Sequence, residues 1–283
     1  MSSLAESRSR YGPSAFGDDL RRFVNLTYTL AATDFKLRYF GSVLGYVWSL
    51  MRPLLFFGVL YVFFTHALKV GQGVPHYPVY LLGSIVLWTF FVETTGGCVQ
   101  CLLMREGLLR KMRFPRLVIP LSVALTALFN LGMNFLAVLA FALASGVEPR
   151  WSWLELAPLL VLLALLAVGV GMLLSALYVR FRDIQPIWDV ASQILFYGSP
   201  IIYVAAIYDN AKDGLQEVAV TLNPIATILT QVGHAFVDPR LPTAATAAGG
   251  GLRLLVPLAI IGATFGVGLW FFSREAPRIA ENL

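Results

Sequence analysis

Residues able to do chemistry are sparse in this sequence, and their spacing assigns no reaction. Cys98 and Cys101 share the C-x-x-C spacing of metal and redox sites. No second cysteine pair or nearby histidine completes a tetrahedral set, and no βαβ pattern surrounds them. They read as two apolar-embedded thiols one helical turn apart. His66, His76 and His234 are scattered and form no H-E-x-x-H pattern, so no metal ligand is assigned. A G-x-x-x-x-G-K-[ST] loop is also absent, so nucleotide phosphates find no P-loop here. No catalytic residue is assigned, and the chain is not expected to be an enzyme.

Other residues point to the membrane. Arg52 and Glu93 interrupt apolar runs, where a lone charge is costly enough to carry a functional expectation. At about 1.5 Å per residue, Arg52 lies roughly 13 Å beyond Val43 and Glu93 roughly 15 Å before Leu103. Equal depth predicts an intramembrane ion pair clamping the first two spans; the alternative is that each snorkels separately. Tyr46, Trp48, Phe56 and Tyr61 recur along the first span, and Phe196, Tyr197 and Tyr203 in the fifth. Such rings can stack on sugars while their polar tips hydrogen-bond, or simply pack and anchor. Arg105 to Arg116 is short, basic and amphipathic, with Leu108, Leu109 and Met112 forming an apolar face beside Arg110, Lys111 and Arg113. It reads either as a contact helix or as an ordinary positive cytoplasmic loop.

The elements that must carry these residues are apolar helices. Hydrophobic residues make up 58% of the chain and charged residues 13%, outside the usual balance of a soluble domain. The fold class expected is all-α integral membrane, with six transmembrane helices near residues 43–68, 77–103, 117–145, 156–179, 188–208 and 253–273. A seventh apolar stretch, 218–237, contains the helix-breaking Asn223-Pro224 and several polar residues. It is expected to be a re-entrant external segment between spans five and six, or else a docked surface helix. Before the first span, Leu20, Phe23, Val24, Thr27 and Ala31 recur at helical spacing, predicting an amphipathic interfacial helix that serves as anchor or as moving gate. Asp18 and Asp19 suit its N-terminus, and Arg21 and Arg22 suit anionic headgroups of membrane lipids.

Six spans put both termini on one side. Fifteen Lys and Arg residues fall in the segments sharing that side, against five on the other. The positive-inside rule therefore expects cytoplasmic termini and cytoplasmic 104–116 and 180–188 connections. The net charge of +5 reflects this bias rather than a nucleic-acid-binding face. Residues 1–40 show no apolar core with a cleavage site, so no secretory signal is expected. No internal repeat is visible. Residues 1–283 read as one membrane domain, with 1–40 as its cytoplasmic and interfacial segment.

Against this background the entry to the first span, Asp34-x-Lys36-x-Arg38-Tyr39-x-x-Ser42-x-Leu44-Gly45-x-x-Trp48 followed by Arg52-Pro53, resembles ABC-2 type permeases that export O-antigen, capsule, teichoic acid or galactan. Lys111-Met112-Arg113-Phe114-Pro115-Arg116 with Pro120 is similar to that family's coupling segment, and Phe181-Arg182-Asp183-Ile184 to its second cytoplasmic connection. Ser199-Pro200-Ile201-Ile202-Tyr203, Asn223-Pro224 and Phe272-Ser273-Arg274-Glu275-Ala276-Pro277 follow in the same order. The 243–251 stretch has no counterpart.

The resemblance implies the permease of an ATP-driven exporter in a bacterial inner membrane. It implies a homodimer joined to two copies of a separate ABC ATPase, which would hold the ATP and Mg²⁺; this chain would bind no cofactor. Arg105, Leu108, Leu109, Arg110, Lys111, Met112, Arg113, Phe114, Arg182 and Asp183 would couple to the ATPase. A lipid-linked polysaccharide would pass along the aromatic residues.

Two other classes make different demands. A membrane enzyme acting on polyprenyl-linked sugars should group carboxylates at one face, yet Glu148, Glu155, Asp209, Asp213, Glu217 and Asp238 are scattered. An ion-coupled transporter should show several intramembrane ionisable residues and an inverted repeat.

Overall fold

A computed structural model describes residues 20–39, 45–71, 73–107, 114–204 and 215–282. Among them every regular element is helical. Helix α1 is Leu20–Tyr39. Helix α2, Gly45–Val62, keeps Pro53 inside it and continues as a π-turn over Phe63–Ala67. Helix α3 is Tyr77–Val99, opened by Pro78 in the first turn, where the missing N–H costs nothing. A turn at Gln100 leads to a short helical piece, Cys101–Met104. Helices α4, Val118–Ala144, and α5, Leu156–Arg180, form an antiparallel pair of apolar spans. Then come α6, Ile184–Tyr197, α7, Leu215–Leu222, α8, Pro224–Val232, and α9, Leu255–Asn282.

Five helical stretches are long and apolar enough to cross a membrane: Val47–Ala67, Tyr77–Val99, Val118–Ala144, Trp151–Arg180 and Gly251–Glu275. The expected fifth span, 188–208, is not among them. Its helix α6 has 14 residues, about 21 Å against roughly 30 Å of hydrocarbon. Gly198 and Pro200 end the helix, and the chain continues without regular structure to Val204.

Burial ranks the spans. In α3, 78% of the apolar window is buried; in the α2 stretch only 6% is. Helix α3 is the hub, with Leu81, Leu82, Ile85, Leu87, Phe90 and Phe91 packed among residues of α4, α5 and the 224–237 segment. Small residues set the closest contacts, as expected where lipid removes the hydrophobic drive between helices. A Cβ on Gly268 of α9 would stand 2.4 Å from the Gly169 carbonyl oxygen of α5, and one on Gly171 would stand 2.9 Å from Cys98 Sγ of α3. Helix α5 is thus wedged between α3 and α9.

Helix α1 buries Phe23 and Ala31, as its spacing predicts, but leaves Leu20 and Val24 exposed. Phe23 joins Leu102, Phe114, Ile119, Met172 and Phe272 in a second apolar cluster. The Phe35 and Tyr28 rings meet Phe129 of α4 edge-on at 5.7 and 6.2 Å. Asp18 and Asp19 lie outside the described residues.

Candidate functional site

Several polar residues of α1, α3 and α4 come together at one place. Glu93 of α3 does not meet Arg52, as equal depth predicted. It is ion-paired with Arg38 from the last turn of α1 and also accepts a hydrogen bond from Asn130 Nδ2 at 2.6 Å. Rotation about the helix axis explains the correction. Pro53 is buried while Arg52 is exposed, so α2 turns Arg52 away from α3. Depth counted along a helix carries no information on facing.

Around this pair runs a polar stripe on α4, with Ser122, Thr126, Asn130 and Asn134 at i+4 spacing and all buried. The Thr126 hydroxyl reaches the Ala31 carbonyl at 3.3 Å, and Tyr39 Oη donates to Asn130 Oδ1 at 2.7 Å. Arg105 donates to Ser122 Oγ at 2.8 Å and is ion-paired with Asp34 of α1. Sequence reasoning marked Asp34, Arg38 and Tyr39 only as part of a family motif and gave them no partners, and it missed the stripe. The signal lay in four small polar residues recurring every fourth position of an otherwise apolar span, which require a polar partner.

The expected coupling segment divides. Leu108, Leu109, Arg110, Lys111, Met112 and Arg113 lie outside the described residues. Arg105, with its side chain only 18% exposed, faces inward to Asp34. Phe114 is buried in the second cluster. Arg182 and Asp183 are exposed between α5 and α6.

Among the aromatic residues, Phe56 and Phe196 meet at 6.0 Å, linking α2 to α6, and Phe196 lies 5.2 Å from the Tyr197 ring. Tyr203 Oη donates to the Tyr197 carbonyl at 2.9 Å. Trp48 and Tyr197 are exposed. Tyr61 turns elsewhere, stacking on Phe57 at 5.6 Å. The side chain of Tyr46 lies outside the described set.

At the opposite end, the segment from Pro224 to Val237 is almost wholly buried. Asn223 caps α8, its Oδ1 accepting from Ile225 N at 3.0 Å and Ala226 N at 3.3 Å, while its Nδ2 donates to Ser199 Oγ at 2.9 Å. Trp153 Nε1 donates to the Phe236 carbonyl and Ser152 Oγ to that of Ala235. Gly233 lies against the Tyr80 ring, where a Cβ would come within 2.9 Å. Just beyond, the buried Asp238 accepts from Arg240 at 2.9 and 3.0 Å and stands 3.5 Å from His76 Nδ1. The Arg240 hydrogen bonds hold its carboxyl well below the usual carboxylate range, and His76 adds to this, overcoming the burial that opposes it.

Two further acids near that end take separate partners: Glu155 accepts from Gln231, and Glu217 pairs with Arg253. Among the described residues no three His, Cys, Asp or Glu side chains group as metal ligands. Cys98 and Cys101 are buried and unbonded to each other, with Cys98 Sγ 3.6 Å from the Pro120 carbonyl.

Residues 25–212 match the ABC-2 type transporter family. The chain is 30% identical over 271 residues to the O-antigen export system permease protein RfbA of Myxococcus xanthus, covering 94% of this chain and 98% of that protein. It is 27% and 28% identical to two proteins of the same description from Klebsiella pneumoniae, over 76% and 77% of this chain and 81% and 82% of theirs.

Proposed function

The chain belongs to the ABC-2 type transporter family, and we propose that it is the permease subunit of an exporter that carries a lipid-linked polysaccharide outward across a bacterial inner membrane. The observation that carries this is the near end-to-end match to an O-antigen export permease, which leaves no large part of either chain unaccounted for. The substrate class follows from that relative's description, and the lipid link from the need to hold a hydrophilic glycan at the membrane.

Six crossings fit the packing. Trp188 of α6 lies 6.2 Å from Phe91, Phe196 lies 5.6 Å from Trp88, Tyr80 donates to the Pro200 carbonyl and Tyr77 to that of Ile202. The 184–204 segment therefore runs antiparallel to α3 from the level of Phe91 to that of Tyr77, about 21 Å at helical rise. A short helix completed by a bent, protein-covered strand of backbone makes the fifth crossing, its carbonyls satisfied by the two tyrosines. The buried 224–237 segment is the re-entrant element, entering and leaving on the external side. Both termini are cytoplasmic, following the basic bias, and α1 lies at the cytoplasmic interface.

ATP is hydrolysed by a separate subunit, since the sequence carries no P-loop. Two copies of that ATPase serve a homodimer of this chain and hold the ATP and Mg²⁺. The 105–116 connection, with Arg182 and Asp183, seats on the ATPase, and the rigid-body closure of the ATPase pair is passed to the spans. The exposed faces of α2 and α6, bearing Trp48, Phe56 and Tyr197, border the glycan path.

Replacing Leu108, Leu109 and Met112 together with Ser tests the seat. The variant should insert normally but lose co-purification with the ATPase, because the apolar area that the ATPase cleft would cover is gone. Normal complex formation and export by that variant would remove the coupling role.

A further inference from the structure

Helix α1 is held by more than apolar packing. Asp34 and Arg38 stand one turn apart and face the same neighbours. Asp34 pairs with Arg105, which also binds Ser122 at the start of α4. Arg38 pairs with Glu93, which Asn130 of α4 also holds. Tyr39 closes the set by bonding Asn130. Five residues, Asp34, Arg38 and Tyr39 of α1 with Ser122 and Asn130 of α4, are thus joined to Glu93 of α3 and to the first residue of the 105–116 connection in one network.

This arrangement exceeds what membrane anchoring requires. An anchor needs an apolar face and basic residues toward the headgroups. It does not need side chains paired with Glu93 inside α3 and with Arg105 just beyond it, two partners that tie α1 to the same neighbours. Nor does the arrangement suit an independently moving gate, since any hinge of α1 would strip Glu93 and Asp34 of their cations together.

We propose that Asp34 and Arg38 are positioning residues that lock α1, the root of the 105–116 connection and the α3–α4 pair into one rigid body, so that movement imposed on the connection by the ATPase reaches the spans without slack. The role rests on the transport reading given above. In it α1 is a strut: cutting the Asp34–Arg105 link lets the connection move while α1, α3 and α4 lag. ATP is then spent without glycan movement.

The test is the ratio of glycan exported to ATP hydrolysed, measured for the full permease–ATPase complex in proteoliposomes. Asp34→Asn keeps the size and one acceptor oxygen while removing the charge and replacing the other oxygen with an NH2 donor, so it carries the test even where Asp34→Ala folds poorly. Its ratio should fall about tenfold, within the range of coupling free energies, while ATPase association and ATP turnover persist. The charge-exchanged double variant Asp34→Arg with Arg105→Asp should regain most of the ratio. An unchanged ratio in Asp34→Asn overturns the proposal, as does loss of ATPase association in step with export, which would place Asp34 at the ATPase contact. A wild-type complex that moves no glycan on ATP overturns the transport reading together with this one. A coupled wild type with an indifferent Asp34→Asn overturns the positioning role alone.

Discussion

Tyr39 and Asn130, 91 positions apart in sequence, share a 2.7 Å hydrogen bond that joins the last residue of α1 to the middle of α4. Asn130 is 5% exposed, so its Oδ1 has little access to water once the hydroxyl is gone. Tyr39→Phe should therefore destabilise the protein by about 1–3 kcal/mol, the cost of leaving a buried acceptor unmade. Thermal unfolding in detergent measures this, and an unchanged midpoint would show that the bond contributes nothing.

The partner of Glu93 is open to a double-mutant cycle. Arg38→Ala and Glu93→Ala should be non-additive by at least about 0.5 kcal/mol, the threshold for residues in one network. Arg52→Ala and Glu93→Ala should add, because Arg52 is exposed on α2 and Glu93 bonds elsewhere. Coupling of Arg52 rather than Arg38 to Glu93 would reverse this assignment.

Much of the fold was legible in the sequence because charge marks where helices leave the membrane. The spans around α2, α3, α4, α5 and α9 are bounded by basic residues, and their predicted limits fall close to the observed ones. The fifth was drawn as one continuous helix, because an apolar run through Gly198, Pro200 and Tyr203 does not reveal that the backbone leaves the helix after Tyr197. The Arg52–Glu93 expectation failed for a related reason: spacing gives depth, while partner choice depends on rotation and on where a separate helix lands. The landing place of α1 was marked by the polar stripe Ser122, Thr126, Asn130 and Asn134, although Ser122, Thr126 and Asn134 also bond back to carbonyls of α4 itself. Phe196 and Phe56, which the resemblance put on one path, are in ring contact. Tyr61 packs inward on Phe57 instead.

Glycine positions separate close contact from open space. Gly268→Ala places a methyl against the Gly169 carbonyl and should cost about 1–3 kcal/mol by overpacking the α5–α9 seam. Gly262→Ala and Gly266→Ala, on the same helix with nothing near the new carbon, should be neutral or stabilising by up to about 1 kcal/mol. Equal effects at the three positions in detergent unfolding would mean that α5 and α9 do not touch as described.

The corner at Asp238 should be sensitive to acid. Its carboxyl titrates lower folded than unfolded, because Arg240 and, less strongly, His76 favour the ionised form. A depressed folded value contributes stability that is complete above the unfolded carboxylate value near about 4 and declines as pH falls below it. Arg240→Gln should shrink that decline while lowering stability at neutral pH. Melting midpoints from neutral pH to about pH 3, just below the ordinary carboxylate range, would show it, and an identical slope in the variant would refute the link.

Asn223 links the cap of α8 to Ser199, across 24 residues. Asn223→Asp keeps the acceptor for Ile225 and Ala226 but loses the donor to Ser199 Oγ, whereas Asn223→Ala loses both. Stability should fall in the order Asn, Asp, Ala, with Ala lowest by about 1–2 kcal/mol for the cap alone. A harmless Asn223→Ala would mean that the buried 224–237 segment is positioned by other contacts.

The central claim is that this chain moves a lipid-linked glycan using ATP that another subunit hydrolyses. Its most direct measurement is glycan translocation in proteoliposomes holding the permease alone, the permease with its partner ATPase, and the pair with a hydrolysis-deficient ATPase. Translocation should occur only with the active ATPase and ATP. Translocation by the permease alone, or driven by an ion gradient without ATP, would contradict the account.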